Sequence, residues 1–309
     1  MSGNQNSKPI GVHSIDHFAL NVPSLPDAEN FFGKFGLDVK QVDGGLDIRA
    51  GDGHRWARIL PSDHKSLAYL SFNCYDGDLE VLESQAKAAG ALFDVGAMPG
   101  TSDGIWFKDP DGNLIQIRTG PKTTLKEKLP LTRANAPVAL RGACVRSQVK
   151  VVRPRRMSHV LLFTPDVLRA VAFYEQALGL RLSDKSADIS AFTHAPHGSD
   201  HHLVAFAKSS AKGWHHSSWD VADVDDVGNG ATQMAAAGFK EGWGTGRHVL
   251  GSNYFHYVRD PWGSFSEYSA DIDFVPAGMN WPAGDFPPED SFYLWGPDVP
   301  EYFIQNTEA

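Results

Sequence analysis

Cysteine is scarce: the 309 residues include only Cys74 and Cys144, too few for the disulfide framework on which small secreted domains rely. Long apolar runs are missing as well, and no stretch approaches the about 20 residues that a membrane helix needs. The opening MSGNQNSKPIGVHS is polar and holds no apolar core of a signal peptide. Basic residues are in deficit, 28 Lys and Arg against 37 Asp and Glu, for a formal net charge of -9. That balance argues against a binder of nucleic acid or anionic membrane, whose affinity rests on cations meeting phosphates. The expectation from these absences is a cytoplasmic globular protein. At about 150 residues per domain the length suggests two domains with a sizeable core. Histidine is the abundant oddity: there are 13, and they crowd between residues 194 and 256.

An internal repeat organises the chain. His17-Phe18-Ala19-Leu20-Asn21-Val22 and His159-Val160-Leu161-Leu162-Phe163-Thr164 are short apolar strand signals, each opened by histidine. Each leads through a proline-containing turn into a helical pattern that glycine closes, at Gly36 and at Gly179. In the second copy Thr164 is expected to cap the helix and Pro165 to take its first position. Val167, Leu168, Val171, Tyr174 and Leu178 then share one face. A later pair of echoes runs helices into Gly90 and Gly238, followed by strand, Asp-Pro-x-Gly turn and strand around Asp109 and Asp260.

The chain therefore reads as four strand–helix–strand–strand–strand units, near residues 14–61, 65–119, 156–207 and 213–272. The expected fold is α+β, with two domains each made of two paired βαβββ modules. Residues 1–120 form the N-terminal domain, 121–155 a linker and 156–272 the C-terminal catalytic domain. The linker's basic residues are read as a solvated stretch. The proline-rich, aromatic tail over 273–309 is expected to pack on the C-terminal domain, with Phe292 to Pro297 near a pocket mouth.

Three equivalent positions in each half could hold a metal: the first strand of each unit, and the strand after the Asp-Pro-x-Gly turn. In the second half these are His159, His216 and Glu267; in the first they are His17, approximately Ala68, and Gln116. Two imidazoles and a carboxylate are the set of non-haem Fe(II) oxygenases, since three protein ligands on one face leave the others open. The first half lacks it, and His17 there reads as a core histidine. His215 and His216 point to opposite faces of a strand, and alignment with His17 favours His216.

The second half resembles an extradiol, meta-cleaving catechol dioxygenase of the vicinal oxygen chelate superfamily. The residues that carry the likeness are Ser158-His159-Val160, Asp200-His201-His202-Leu203-Val204-Ala205-Phe206, His215-His216, Gly246-Arg247-His248, the run Asn253 to Gly263, and Glu267. The resemblance implies an Fe(II) enzyme, with Mn(II) the alternative, that inserts both atoms of O2 into a catecholic ring. It also implies a homo-oligomer. His159, His216 and Glu267 would be the ligands, His201 the acid–base group, and His248 and Tyr257 the residues that orient the hydroxyls. His201 is taken on the pattern of His followed by Ala205 and on strand alternation, which would turn His202 to the opposite face. His194, His197 and His256 are expected to be structural or solvent-facing. The pocket walls are expected around Phe192, Val249, Leu250, Phe255 and the tail. A glyoxalase-type lyase or isomerase shares the fold and is the competing reading; a metal-free binding protein would have no use for a complete triad.

Overall fold

The computed structural model describes residues 8–131, 136 and 138–309. The first half runs β1 (Ser14–Val22), α1 (Leu25–Lys34), β2 (Asp38–Val42), β3 (Gly45–Arg49), β4 (Arg55–Pro61), β5 (Ser66–Cys74), α2 (Leu79–Ala88), β6 (Ile105–Lys108) and β7 (Leu114–Thr119). These strands form one mixed sheet in the order β2-β3-β4-β1-β5-β7-β6. The first module has all four expected strands. The second lacks one, and a single bridge between Leu92 and Lys108 stands in its place. Gly96, Pro99, Gly100 and Gly104 explain the loss, because glycine and proline disfavour a continuous ladder there.

The second half runs β8 (Arg156–Thr164), α3 (Val167–Leu178), β9 (Arg181–Ser186), β10 (Ser190–His194), β11 (Ser199–Asp200), β12 (Val204–Lys208), β13 (Gly213–Asp220), α4 (Val224–Ala236), β14 (Gly242–His248), β15 (Tyr254–Arg259) and β16 (Phe265–Ala270). The tail adds β17 (Phe274–Val275), β18 (Gly284–Asp285), the short helix α5 (Pro288–Ser291) and β19 (Tyr293–Trp295). The second sheet has the order β18-β9-β10-β12-β8-β13-β16-β15-β14-β19, so tail strands flank it at both edges. Between the two sheets, residues 120–155 hold one 3-10 turn, Arg146–Gln148, among those described.

Local chemistry accounts for the elements. Helix α3 starts at Val167 because Asp166, not Thr164, is the cap: its carboxylate accepts the Arg169 amide, while Thr164 Oγ1 accepts the Asp166 amide. Gly179 closes the helix in the left-handed region at φ 71°. The two Asp-Pro-x-Gly turns are built alike. Asp109 Oδ1 accepts the amides of Asp111 and Asn113, and Asp260 Oδ1 those of Trp262 and Ser264.

Alternation along β8 sends Val160 and Leu162 into the apolar core and His159, Leu161 and Phe163 to a cavity on the other face. The core is continuous across the two halves. Phe35 stacks on Tyr268 at 3.9 Å and Phe18 meets Trp214 at 4.6 Å between ring centres. No helix among the described residues is long and apolar enough to cross a membrane.

Several histidines are buried or half-buried in this scaffold and do not line the cavity. Burial holds His194 and His256 at about 4, and burial together with the charges of His197 and Lys122 holds His13 at about 4. The folded state therefore prefers them neutral, while the unfolded chain takes up protons below pH about 6.5. Their contribution to stability is complete above that value and is lost as pH falls towards 4. The melting temperature of the metal-free protein should drop steadily over this window in a calorimetric pH series. A flat profile between pH 7 and about 4.5 would contradict this reading of the buried histidines.

Candidate metal centre and substrate pocket

Strands β8, β13 and β16 lie side by side, with His159 opposite Ser218 and Ser218 opposite Glu267. A β-bulge between Trp214 and His216 turns the His216 ring towards the other two. The result is one cluster, His159, His216 and Glu267, whose donor atoms all lie within 4.8 Å of one another. His159 Nε2 is 3.3 Å and His216 Nε2 3.8 Å from Glu267 Oε2. His216 Nε2 and Glu267 Oε2 are buried and have no hydrogen-bond partner. An orphaned imidazole nitrogen and an orphaned carboxylate oxygen, with a second imidazole nitrogen beside them, are what a divalent cation requires. The donor set fits the expected metal.

Each ring is fixed from behind by its Nδ1. His159 Nδ1 donates to Ser158 Oγ at 3.2 Å, which donates to Asp200 at 2.6 Å. Arg156 grips Asp200 with two bonds of 2.7 and 3.0 Å. His216 Nδ1 meets His215 Nδ1 at 2.6 Å. His248 Nδ1 donates to the Phe292 carbonyl at 2.8 Å, which leaves its Nε2 to accept from the Tyr257 hydroxyl at 2.9 Å. Such outward bonds set the tautomer and leave Nε2 directed inward. Burial lowers the pKa of His216, His202 and His248, helped by the neighbouring imidazoles, so these rings are neutral. Burial alone would push the Glu267 carboxyl up. The hydrogen bond and charge of the facing His159, with a hydrogen bond from Ser218, outweigh it, and the group stays ionised. Asn253 Nδ2 donates to Glu267 Oε1 at 3.0 Å and holds the carboxylate still.

His159 and His216 of the cluster line a cavity of ≈ 360 Å³. Phe192, Leu161, Leu250, Phe292 and Ile304 line it with His202, His248 and Tyr257. Phe192, Leu250 and the tail are thus wall residues, as expected. Val249 is not, and Phe255 instead stacks beneath the His248 ring at 4.1 Å.

The expectation for His201 needs correction. His202 lines the cavity, its ring 3.9 Å from that of His159, whereas His201 stands behind it. His201 Nε2 donates to Asp184 Oδ2 at 2.8 Å, and its Nδ1 faces His202 Nδ1 at 3.0 Å. Residues 201–203 are not in a strand, so alternation does not apply to them. The His201 amide bonds the Asp273 carbonyl and the Leu203 amide that of Thr193, which swings His202 inward. His215 is not part of the cluster, and its Nε2 donates to the Phe303 carbonyl at 2.7 Å. His194 bonds Ser183 Oγ and His197 the Gly11 carbonyl.

The first half keeps the register of the site without its ligands. His17 lies opposite Ser71 and Ser71 opposite Gln116. By that register the counterpart of His216 is Tyr69, not Ala68. Tyr69 Oη lies 2.8 Å from His17 Nε2, and Asp16 takes His17 Nδ1 at 2.6 Å. Trp106, in the place of Tyr257, packs on Tyr69 at 5.1 Å and fills the remaining space. Asp184, Asn253 and the two tail carbonyls were not singled out as site residues in the sequence. Asn253 lay in the closing run; nothing local marks Asp184.

Comparison with known proteins accords with this geometry. The chain is 61% identical to "Metapyrocatechase 2" of Cupriavidus necator over 298 residues, 96% of this chain and 93% of that protein. A Mn(II)-bound glyoxalase from Novosphingobium aromaticivorans superposes with a TM-score of 0.73 at 22% identity, covering 96% of this chain and 99% of that one. A variant of homoprotocatechuate 2,3-dioxygenase from Brevibacterium fuscum does so at 0.74 and 16% identity, over 98% of this chain and 84% of the other. The two structures share a fold with this chain and, on their own, do not separate lyase from dioxygenase. Residues 14–117 and 156–268 match the Glyoxalase/Bleomycin resistance protein/Dioxygenase superfamily. The chain belongs to that superfamily, on its dioxygenase branch.

Proposed function

We propose that this extradiol dioxygenase opens catecholic rings by meta cleavage at one Fe(II) held by His159, His216 and Glu267, in the second half alone. The observation that carries the reading is the convergence of two buried imidazole Nε2 atoms and one buried carboxylate, with His216 Nε2 and Glu267 Oε2 unpartnered, beside a largely apolar cavity. Mn(II) accepts the same donors. Such an ion, when bound, supplies the Lewis acidity that acidifies a diol and the one-electron chemistry that O2 requires.

The chain's own residues do the rest. Tyr257, kept protonated by burial and the Glu267 charge, and His248 are placed to orient the two hydroxyls. His202 presents a neutral Nε2 to the cavity, because its Nδ1–H is donated to His201. It can take the diol proton and return it when the O–O bond breaks. Phe192, Leu250 and Phe292 exclude water and offer an apolar wall for the ring and its substituents.

We divide the chain into a metal-free first domain over 1–120, a linker over 121–155 and the catalytic domain with its tail. The exposed Leu294, Trp295 and Ile304 support a homo-oligomer, in which a second copy would cover them. The unpaired Cys74 and Cys144 support a reducing, cytoplasmic setting.

Anaerobic loading with Fe(II), then a panel of catechol, alkylcatechols, 2,3-dihydroxybiphenyl and trihydroxybenzenes in air, is the direct test. A yellow ring-fission product carrying both atoms of labelled O2 is expected. Isomerisation of a hemithioacetal without O2 uptake would favour the glyoxalase reading instead.

A further inference from the structure

The C-terminal tail does more than line the pocket. The Phe303 carbonyl only accepts, so His215 Nε2 must carry the hydrogen of their 2.7 Å bond. A neutral His215 then has a bare Nδ1, which accepts from His216 Nδ1 at 2.6 Å. His216 Nε2 is thereby left as a lone pair facing Glu267. The Phe292 carbonyl fixes His248 in the same way. Two backbone oxygens of one segment thus decide the tautomers of three rings around the centre.

The same segment is fastened to the strand that carries His216. Glu308 Oε1 accepts the Trp214 amide at 3.1 Å and pairs at 2.5 Å with Lys65, a buried cation from the first half. Lys65 also donates to the Trp214 carbonyl at 3.1 Å. Asn306 bonds the carbonyls of Ala211 and Lys212 just before it. Glycine clears the path: a Cβ on Gly213 would stand 2.3 Å from Asn306 Oδ1, and one on Gly246 2.8 Å from the Trp295 carbonyl.

We infer that the tail is a positioning element of the metal site: Phe303, through His215, presets the ligand tautomer of His216, and the Lys65–Glu308 pair holds the tail in register. The inference rests on the ligand set proposed above. Residues that orient a ligand imidazole typically contribute about 10–100-fold to metal affinity.

The test is titration of the metal-free full chain with Co(II), read by its visible absorption and by chelator competition, with melting temperatures alongside. His215→Phe removes the acceptor and should weaken Co(II) binding by about 10–100-fold. His215→Gln keeps an acceptor for His216 and a donor for Phe303, and should restore most of the affinity. Glu308→Ala, remote from the metal, should weaken binding in the same direction by a smaller factor. If His215→Phe does not fold, Glu308→Ala decides. A folded His215→Phe or Glu308→Ala chain that binds Co(II) like the unaltered protein overturns the inference. Failure of the unaltered chain to bind Co(II), or undiminished binding by Glu267→Gln, would instead overturn the ligand set.

Discussion

An enzyme carrying His202→Asn is expected to lose about 10²–10⁴-fold in kcat while retaining its metal, the usual contribution of a general acid–base group. The argument is positional. His202 is fully buried, lines the cavity and contacts the His159 ring, yet belongs to no ligand cluster. Asparagine keeps an amide that can bond His201 but cannot relay a proton. His201→Asn should cost less, because His201 acts only through its bond to His202 and its own anchor on Asp184. Metal content, kcat and KM measured for both variants give the comparison. If the His201 variant loses turnover and the His202 variant keeps it, the proposed role of His202 fails.

The contrast between these neighbours shows what was legible in the sequence. The paired modules and the grouping of His159, His216 and Glu267 follow from the histidine-opened strands and the Asp-Pro-x-Gly turns. Those signals are local, and the backbone keeps them in both halves, apart from the one strand that the second module lacks. Errors of one residue arose wherever counting crossed irregular backbone. The step from Asp200 to Val204 leaves the strand, so alternation selected His201 instead of His202. The counterpart of His216 was counted back from a helix end, but Gly238 lies 22 positions after His216 and Gly90 only 21 after Tyr69, so equal counting gives Ala68 for Tyr69.

A second kind of feature was not legible at all. Phe292 and Phe303 act through their carbonyls, which every residue possesses, so no side-chain pattern reveals them. Asp184 meets His201 across 17 positions because β9 and the 201–203 turn are brought together by the sheet. The capping of α3 by Asp166 instead of Thr164 has a simpler cause. Both are good caps, and Thr164 is used by β8 and by a bond to Asp111 from the first half.

Glu267→Gln should have the largest effect on the centre itself. Glu267 is wholly buried and is the only carboxylate in the cluster, so it supplies the one negative charge that offsets a divalent cation there. Glutamine preserves the shape and can keep its oxygen on Asn253 Nδ2, but its other terminal atom becomes an NH2 group facing the lone pairs of His159 and His216. That group donates where a cation should be held, so the variant satisfies the metal-free site and opposes the loaded one. Two opposite shifts are therefore expected: an unchanged or higher melting temperature without metal, and loss of the increase that metal gives the unaltered chain. A ligand at 100 times its Kd stabilises the fold by about 2.7 kcal/mol, which sets the scale of the missing increase. Metal content should fall well below one per chain, and ring-cleaving activity with it. Stoichiometric metal in the Glu267→Gln protein, or metal retained by a chain altered at both His159 and His216, would place the centre elsewhere.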